Sequence, residues 1–401
     1  MPYPIISLET DDLNSQVIKT KNITTEEAVQ YTMLNYFGDI SFTHDQLNRF
    51  YNSVVLDPET RKILSVGSPR AYDFDLFRKV FPVCDESILV EEMIEGISIQ
   101  LFFEFRTGKW EIATRNSVGG NYAYYRLPGQ SSTTYRDMLF DAMGFKCKDE
   151  VDRQLEYWPG CKYLLPTNCY HFIVRHPDNH IVLKTNSPQL YFVGYCELLC
   201  NDELRFHSSH GISVFPMDLM VKIPKTVTSP IVDPSYEEYI HQQKDRGVMG
   251  ISFLNKNTGE RCFVISPEYK NLQTIRGTHP NLLYQYLCLQ RIDKITDFLK
   301  HFPQYKRIFH TFRDMYDELI RDIHQSYLQY YIRKSNPVVD KSIFFHIHYI
   351  HSNIYKPSLN MAVKTIIKKE IIRGYLNTLE PGCILHMIQR EQYKENNLLK
   401  D

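Results

Sequence analysis

The chain has 401 residues, 43% of them hydrophobic and 23% charged, with a formal net charge of −1. That length provides for two domains, each with a sizeable core, while the near-neutral balance excludes a protein drawn to nucleic acid or membranes by overall charge alone. The charge is uneven: from Arg291 to Asp401, 18 Lys+Arg stand against 12 Asp+Glu, a net of +6, which leaves −7 on the first 290 residues.

Thr24-Thr25-Glu26-Glu27 reads as a capping box opening an amphipathic helix to about Phe37, closed by Gly38. A second cap at Thr43 predicts a short helix through Tyr51. Residues 53–57 and 62–66 are short apolar strands joined by the Pro58-Glu59-Thr60 turn. Residues 73–82 read as a short helix or loop. From Ile88 the period becomes two, and strands at 88–93, 97–106 and 109–116 suggest one antiparallel meander. A helix starts near Thr133, with Ser132 or Thr133 as its cap. Residues 169–176 and 180–184 read as a hairpin turning at His176-Pro177-Asp178-Asn179. Leu190–Leu199 is a further strand, and 201–230 a loop-rich, Pro-dotted connection with a short apolar element near 212–216.

A helix over Ser235–Asp245 precedes a last hairpin, 247–254 with 260–265, around Asn255–Gly259. After Pro280 the strand signal ends. Helices are predicted at 281–302, 306–334, 341–354, 359–377 and 382–393. The expected organisation is an α+β domain over 1–278, with antiparallel sheets and flanking helices, followed by an all-helical domain over 279–401.

Five segments carry the functional reading. Met93-Ile94-Glu95-Gly96 precedes a Phe-rich strand, and Trp110–Ser117 contains Ala-Thr-Arg115-Asn116-Ser. Phe172–Val182 holds the His-Pro-Asp-Asn turn. Arg246-Gly247-Val248-Met249 leads into a strand, and Phe263-Val264-Ile265-Ser266-Pro267-Glu268-Tyr269 closes the series. As a set they resemble the phage-type RNA ligases and the wider ligase and capping superfamily of covalent nucleotidyltransferases. The resemblance covers about residues 50–275. In that family the first segment is Lys-x-[Asp/Glu]-Gly and its lysine attacks the nucleotide α-phosphate; here the position is Met93, and a thioether forms no phosphoramidate. Ile173 and Arg246 stand where the family has glutamates. Phe263 and Ile265 stand where it has the two lysines that neutralise the phosphate. The same pattern, with a helical C-terminal extension, resembles degenerate ligase-like proteins of giant DNA viruses.

The resemblance implies a pseudoenzyme that keeps the nucleotidyltransferase scaffold without its chemistry. Glu95, Arg115, Asn116, Arg246 and Lys270 are its candidate contacts for a nucleotide or nucleic acid. No catalytic residue, metal ligand or cofactor is expected. The partner expected is nucleic acid, RNA before DNA, or else a protein.

An alternative is an adaptor subunit of a larger, viral assembly, its cleft filled by Met93, Ile173, Phe263 and Ile265. A further alternative is an active RNA ligase or capping-type enzyme using a displaced lysine, Lys79 or Lys109. His346, His348 and His351 are read as helix histidines rather than metal ligands, and Tyr327, Tyr330 and Tyr331 as core or as base-stacking rings. Nine cysteines without zinc spacing point to reduced thiols. With no signal-peptide pattern and no long apolar run, a soluble cytoplasmic protein is expected, in the host cytoplasm for a viral one.

Overall fold

The computed structural model describes residues 3–10, 17–37, 46–123, 133–145, 154–179, 181–210, 214–229, 235–242, 248–277, 279–335, 339–360 and 365–390. The chain divides into two compact units, one drawn from Met1–Ala123 and Ser132–Thr274, the other including Ile275 onward.

The first unit is built on three sheets, and every ladder between their strands is antiparallel. The seven-stranded sheet runs β1 (Ile5–Ser7), β12 (Glu203–Ser208), β11 (Gln189–Leu198), β10 (Asn168–Arg175), β7 (Ile97–Glu104), β8 (Lys109–Thr114), β9 (Ser117–Val118). A four-stranded sheet orders β2 (Ile18–Thr24), β3 (Gln30–Tyr36), β4 (Val54–Leu56) and β5 (Ile63–Ser65). A three-stranded sheet orders β14 (Arg261–Ile265), β13 (Gly250–Asn255) and β6 (Ile88–Glu92). The α+β class with antiparallel sheets is therefore as expected.

Each sheet has an apolar side that fixes its neighbours. One face of the large sheet, with Ile99, Leu101, Ile112, Phe172 and Val174, packs against Met138–Phe140 of α2 (Tyr135–Ala142) and against Leu155 and Trp158. Thr134 caps α2 in a reciprocal box with Asp137, one residue later than expected. One face of the three-stranded sheet, with Val90, Ile251, Phe253 and Cys262, packs against Phe77 of α1 (Phe74–Val80) and Tyr236 of α3 (Tyr236–Gln242). Because side chains alternate along a strand, the residues between these positions point to the opposite, inner face.

Four expectations are corrected. Residues 24–37 form the β2–β3 hairpin, not a helix. Thr25 and Ala28 make its turn, with Ala28 at φ 62° and the Thr25 hydroxyl accepting the Val29 N–H. Hydroxyl side chains accept turn N–H groups as readily as helix N-terminal ones, and Tyr31 to Asn35 are all buried between β2 and β4, which selects a strand. Residues 88–92 leave the meander and pair with β13 in the other sheet. Residues 181–184 are no strand; β10 pairs instead with β11 and β7. Within the stretch read as a loop, Glu203–Ser208 is β12; of the apolar element expected near 212–216, residues 214–216 form neither helix nor strand, and 212–213 lie outside the described residues, as do 41–45 and 243–247.

In the second unit, the predicted 281–302 helix is two, α5 (Leu282–Arg291) and α6 (Ile295–His301), broken where Asp293 turns to φ 54°. Helix α7 (Lys306–Tyr327) continues into a wide turn to Ile332. Helices α8 (Lys341–Ile350), α9 (Lys356–Ser358), α10 (Lys369–Leu376) and α11 (Pro381–Ile388) follow, and α4 (Pro267–Arg276) leads in from the first unit. Helix α7 buries one stripe, including Phe309, Phe312, Tyr316, Leu319 and Ile323. No helix among the described residues is long and apolar enough to cross a membrane.

Candidate functional site

The inner face of the three-stranded sheet carries three of the motif positions, Met93, Phe263 and Ile265. Along its strands run Leu89, Glu91 and Met93; Gly250, Ser252 and Leu254; and Arg261, Phe263 and Ile265. The register joins Glu91 to Ser252 to Phe263, and Met93 donates its N–H to the Gly250 carbonyl at 2.9 Å. Phe263 and Ile265 are 43% and 39% exposed, and Met93 and Ile173 are half-buried. The four side chains thus form no solvent-free cluster, and the filled-cleft arrangement is not what the structure has. Of the two lysines considered as displaced nucleophiles, Lys109 pairs with Glu27 at 3.8 Å, and Lys79 stands in the last turn of α1.

Lys109 and Glu27 belong instead to a cavity of about 500 Å³ rimmed by Glu26, Glu111, Asp137 and Glu156. Its carboxylates are engaged. Glu111 binds Arg136 at 2.7 Å, Glu156 accepts the Trp110 N–H, Glu26 accepts from Asn121, and Asp137 caps α2.

Elsewhere in the first unit lies a polar cluster. Arg49 stands 4.0 Å from Glu260, over the rings of Phe50 (4.6 Å) and Tyr72 (4.9 Å). Burial raises the Glu91 carboxyl above the usual range, and the Arg261 charge opposes that shift. His171, on β10, bonds to the Ser68 hydroxyl at 3.0 Å and the Val66 carbonyl at 2.7 Å. Burial pushes it down to about 4, so the ring is neutral near pH 7.

Two of the expected motif residues prove to shape the scaffold. Gly96 passes so close to β10 that a Cβ would lie 2.5 Å from the Val174 carbonyl oxygen and 2.6 Å from Ile173 Cγ2. Glu95 is only 4% exposed, and its carboxylate accepts the backbone N–H groups of Ile181, Val182 and Leu183 at 2.8–3.2 Å. It pins the segment after β10 in place of the strand expected there. Ser266-Pro267 starts α4, with proline at the first helical position, where its missing N–H costs nothing. Lys270 is exposed on that helix. Arg246 lies outside the described residues.

Arg115 and Asn116 occupy the exposed β8–β9 turn, and here the structure gathers cations that the motifs did not disclose. The Asn35 amide donates to the Arg115 carbonyl at 3.0 Å. Lys21 Nζ donates to the Asn116 carbonyl at 3.0 Å. Lys19, two residues away on the same face of edge strand β2, lies 4.5 Å from the centre of the Phe37 ring, which is 52% exposed. Arg70 reaches the Tyr36 carbonyl at 3.4 Å. Its pKa is lowered first by burial and then by the charge of Arg115. Among the described residues, no carboxylate lies within 4.0 Å of Lys19, Lys21, Arg70 or Arg115. The signal available in the sequence was the i, i+2 spacing of Lys19 and Lys21, meaningful only once 18–24 is known to be a strand.

No family model matches the chain, and no curated protein matches it. Among solved structures it is similar to a "Putative ATP-dependent DNA ligase from Aquifex aeolicus", at 14% identity and a TM-score of 0.40, over 74% of this chain and 78% of that one. It is also similar to an archaeal ATP-dependent RNA ligase in two forms, at 12% and 13% identity and TM-scores of 0.38. Those matches span 73% and 74% of this chain and 67% of each of the others.

Proposed function

We propose that the protein is a ligase-like pseudoenzyme that binds nucleic acid, RNA before DNA, in the cytoplasm, through the surface formed by Lys19, Lys21, Arg70, Arg115 and the Asn116 turn. The observation that carries this reading is the cationic surface itself. Arg70, its pKa lowered by burial and then by the charge of Arg115, shares this surface with Lys21 at the Asn116 turn and Lys19 two residues along β2, with no acid within 4.0 Å among the described residues, and a bound anion relieves the repulsion between these cations. Exposed Phe37 adds a ring to which a base can stack. The absence of transfer chemistry is supported by Met93, Ile173, Phe263 and Ile265, none of which can attack a phosphate, hold a metal or neutralise charge.

Binding of a labelled single-stranded RNA by fluorescence anisotropy, between 50 and 200 mM salt, tests the reading. Four phosphate contacts at this surface contribute about −3 to the log–log salt slope. Replacing Lys19, Lys21 and Arg115 by alanine together makes the slope shallower by about 2. A folded protein that binds no RNA at 50 mM salt refutes the proposal.

A further inference from the structure

The second unit carries an exposed aromatic face with no place in the site above. On α8 one side is core: Ile343, Ile347 and Ile350 are buried. The other side displays Phe345, 66% exposed, and Tyr349, 41% exposed, one helical turn apart. These rings do not dangle. Phe345 packs edge-on against His346 at 5.5 Å, His346 Nδ1 bonds to the Tyr375 hydroxyl at 2.7 Å, and Tyr349 stacks on the Tyr375 ring at 5.1 Å. Beside them Phe344, 38% exposed, meets Tyr330 at 5.3 Å, and a chain of rings continues through Tyr331, His351 (3.8 Å, stacked) and Tyr355. Stacking on Tyr375 holds the Tyr349 ring, so that ring has little rotamer entropy left to lose on contact.

Charge selects the occupant. From Leu328 to Asn360 the chain carries Arg333, Lys334, Lys341 and Lys356 against one acid, Asp340. The Asp340 carboxylate is turned to the backbone, capping α8 through the Ser342 N–H and hydroxyl. Lys341 stands one turn before Phe345, and all four cations are exposed. A platform of π-faces in a cationic rim suits a polyanion whose bases are free to stack, not a neutral apolar helix.

We propose that Phe345 and Tyr349 of α8 form a stacking platform for the bases of single-stranded nucleic acid. The inference rests on the nucleic-acid reading above and adds to it a second contact region and a preference for single strands.

The test uses the full chain with a labelled single-stranded RNA of mixed sequence and the corresponding duplex. Phe345→Ala and Tyr349→Ala each weaken single-strand binding about tenfold, the worth of one base–ring stack. They leave the salt slope unchanged, because no cation is lost. Tyr349→Phe, which keeps the ring, stays within about twofold of wild type, and duplex binding is unmoved by any of the three. Both positions are exposed, so far-UV circular dichroism and the melting midpoint report that the variants fold.

Wild-type affinity in both alanine variants, with binding still lost on replacing Arg70 and Arg115, overturns the platform and leaves the nucleic-acid reading standing. Absence of RNA binding in the wild type removes both. Self-association that disappears in Phe345→Ala, with RNA affinity intact, assigns the face to a second copy of the chain and also overturns the proposal.

Discussion

Replacing Glu95 by glutamine separates its structural role from a ligand-binding one. The buried carboxylate accepts three backbone N–H groups, with Val182 shared between its two oxygens. Glutamine keeps the shape but turns one acceptor into an NH2 donor facing those N–H groups. At least one bond to a charged acceptor is lost, worth about 1.5–3 kcal/mol, and a part-buried N–H is left unpaired at a further cost of at least about 1 kcal/mol. Glu95→Gln therefore destabilises the first unit by at least about 2.5 kcal/mol. Trp110 and Trp158, the two tryptophans of the chain, both lie in that unit, so intrinsic fluorescence in a urea titration follows its unfolding without interference from the second. The expected result is a lower midpoint with the slope conserved, and RNA affinity unchanged at urea concentrations where the unit is folded. Stability within about 0.5 kcal/mol of wild type, the range of an ordinary surface substitution, refutes the assigned role of the carboxylate.

Gly96→Ala drives a methyl into the Val174 carbonyl and costs about 2–3 kcal/mol, measured by the same titration; a neutral outcome contradicts the close approach of the strands. His171 introduces a pH dependence. Its folded pKa, about 4, lies below the unfolded value near 6.5, so between these pH values the unfolded chain holds more protons. The associated stability is fully present above pH 6.5 and is lost as pH falls toward 4, about 2 kcal/mol by pH 5. His171→Gln lacks that slope when urea midpoints at pH 7 and 5 are compared; an equal slope in both proteins rejects the buried neutral ring. Met93→Lys, incubated with α-labelled ATP or GTP and magnesium, acquires no covalent nucleotide, because Ile173, Phe263 and Ile265 still supply neither acid nor amine; an acid-labile adduct on this variant or on wild type overturns the pseudoenzyme reading.

Period-two segments bounded by turn chemistry were legible in the sequence. The β13–β14 hairpin is where it was expected because Asn255 and Gly259 make its turn by short-range means: the Asn255 side chain accepts the Asn257 and Thr258 N–H groups, and Gly259 takes φ 74°. What could not be read was set at long range. Residues 30–36 become a strand because other strands lie on both sides, which outweighs a local capping pattern. Residues 181–184 lack a strand partner because a carboxylate 86 positions earlier claims their N–H groups. The candidate site divides the same way. Arg115 and Asn116 could be found from their motif, whereas Lys21 meets Asn116 across 95 residues through a single side-chain contact with a carbonyl. Lys270, also singled out by a motif, lies on a helix with its side chain exposed.

The motif residues that remain and those that are replaced differ in what they do physically. Gly96, Glu95 and Ser266-Pro267 each answer a demand of the backbone: a close strand crossing, a row of buried N–H groups, a helix start. Loss of any one leaves strain or an unsatisfied donor in every folded molecule, a cost measured in kcal/mol of stability. The positions at Met93, Ile173, Phe263 and Ile265 answer no such demand. Phe263 and Ile265 are 43% and 39% exposed, and Met93 and Ile173 are half-buried, so the fold does not depend on an amine or carboxylate at any of them. Substitution at these four positions therefore costs the fold little. The proposed binding reading accordingly looks for a ligand at the cations of the β2 edge and the rings of α8, not at the Met93 position.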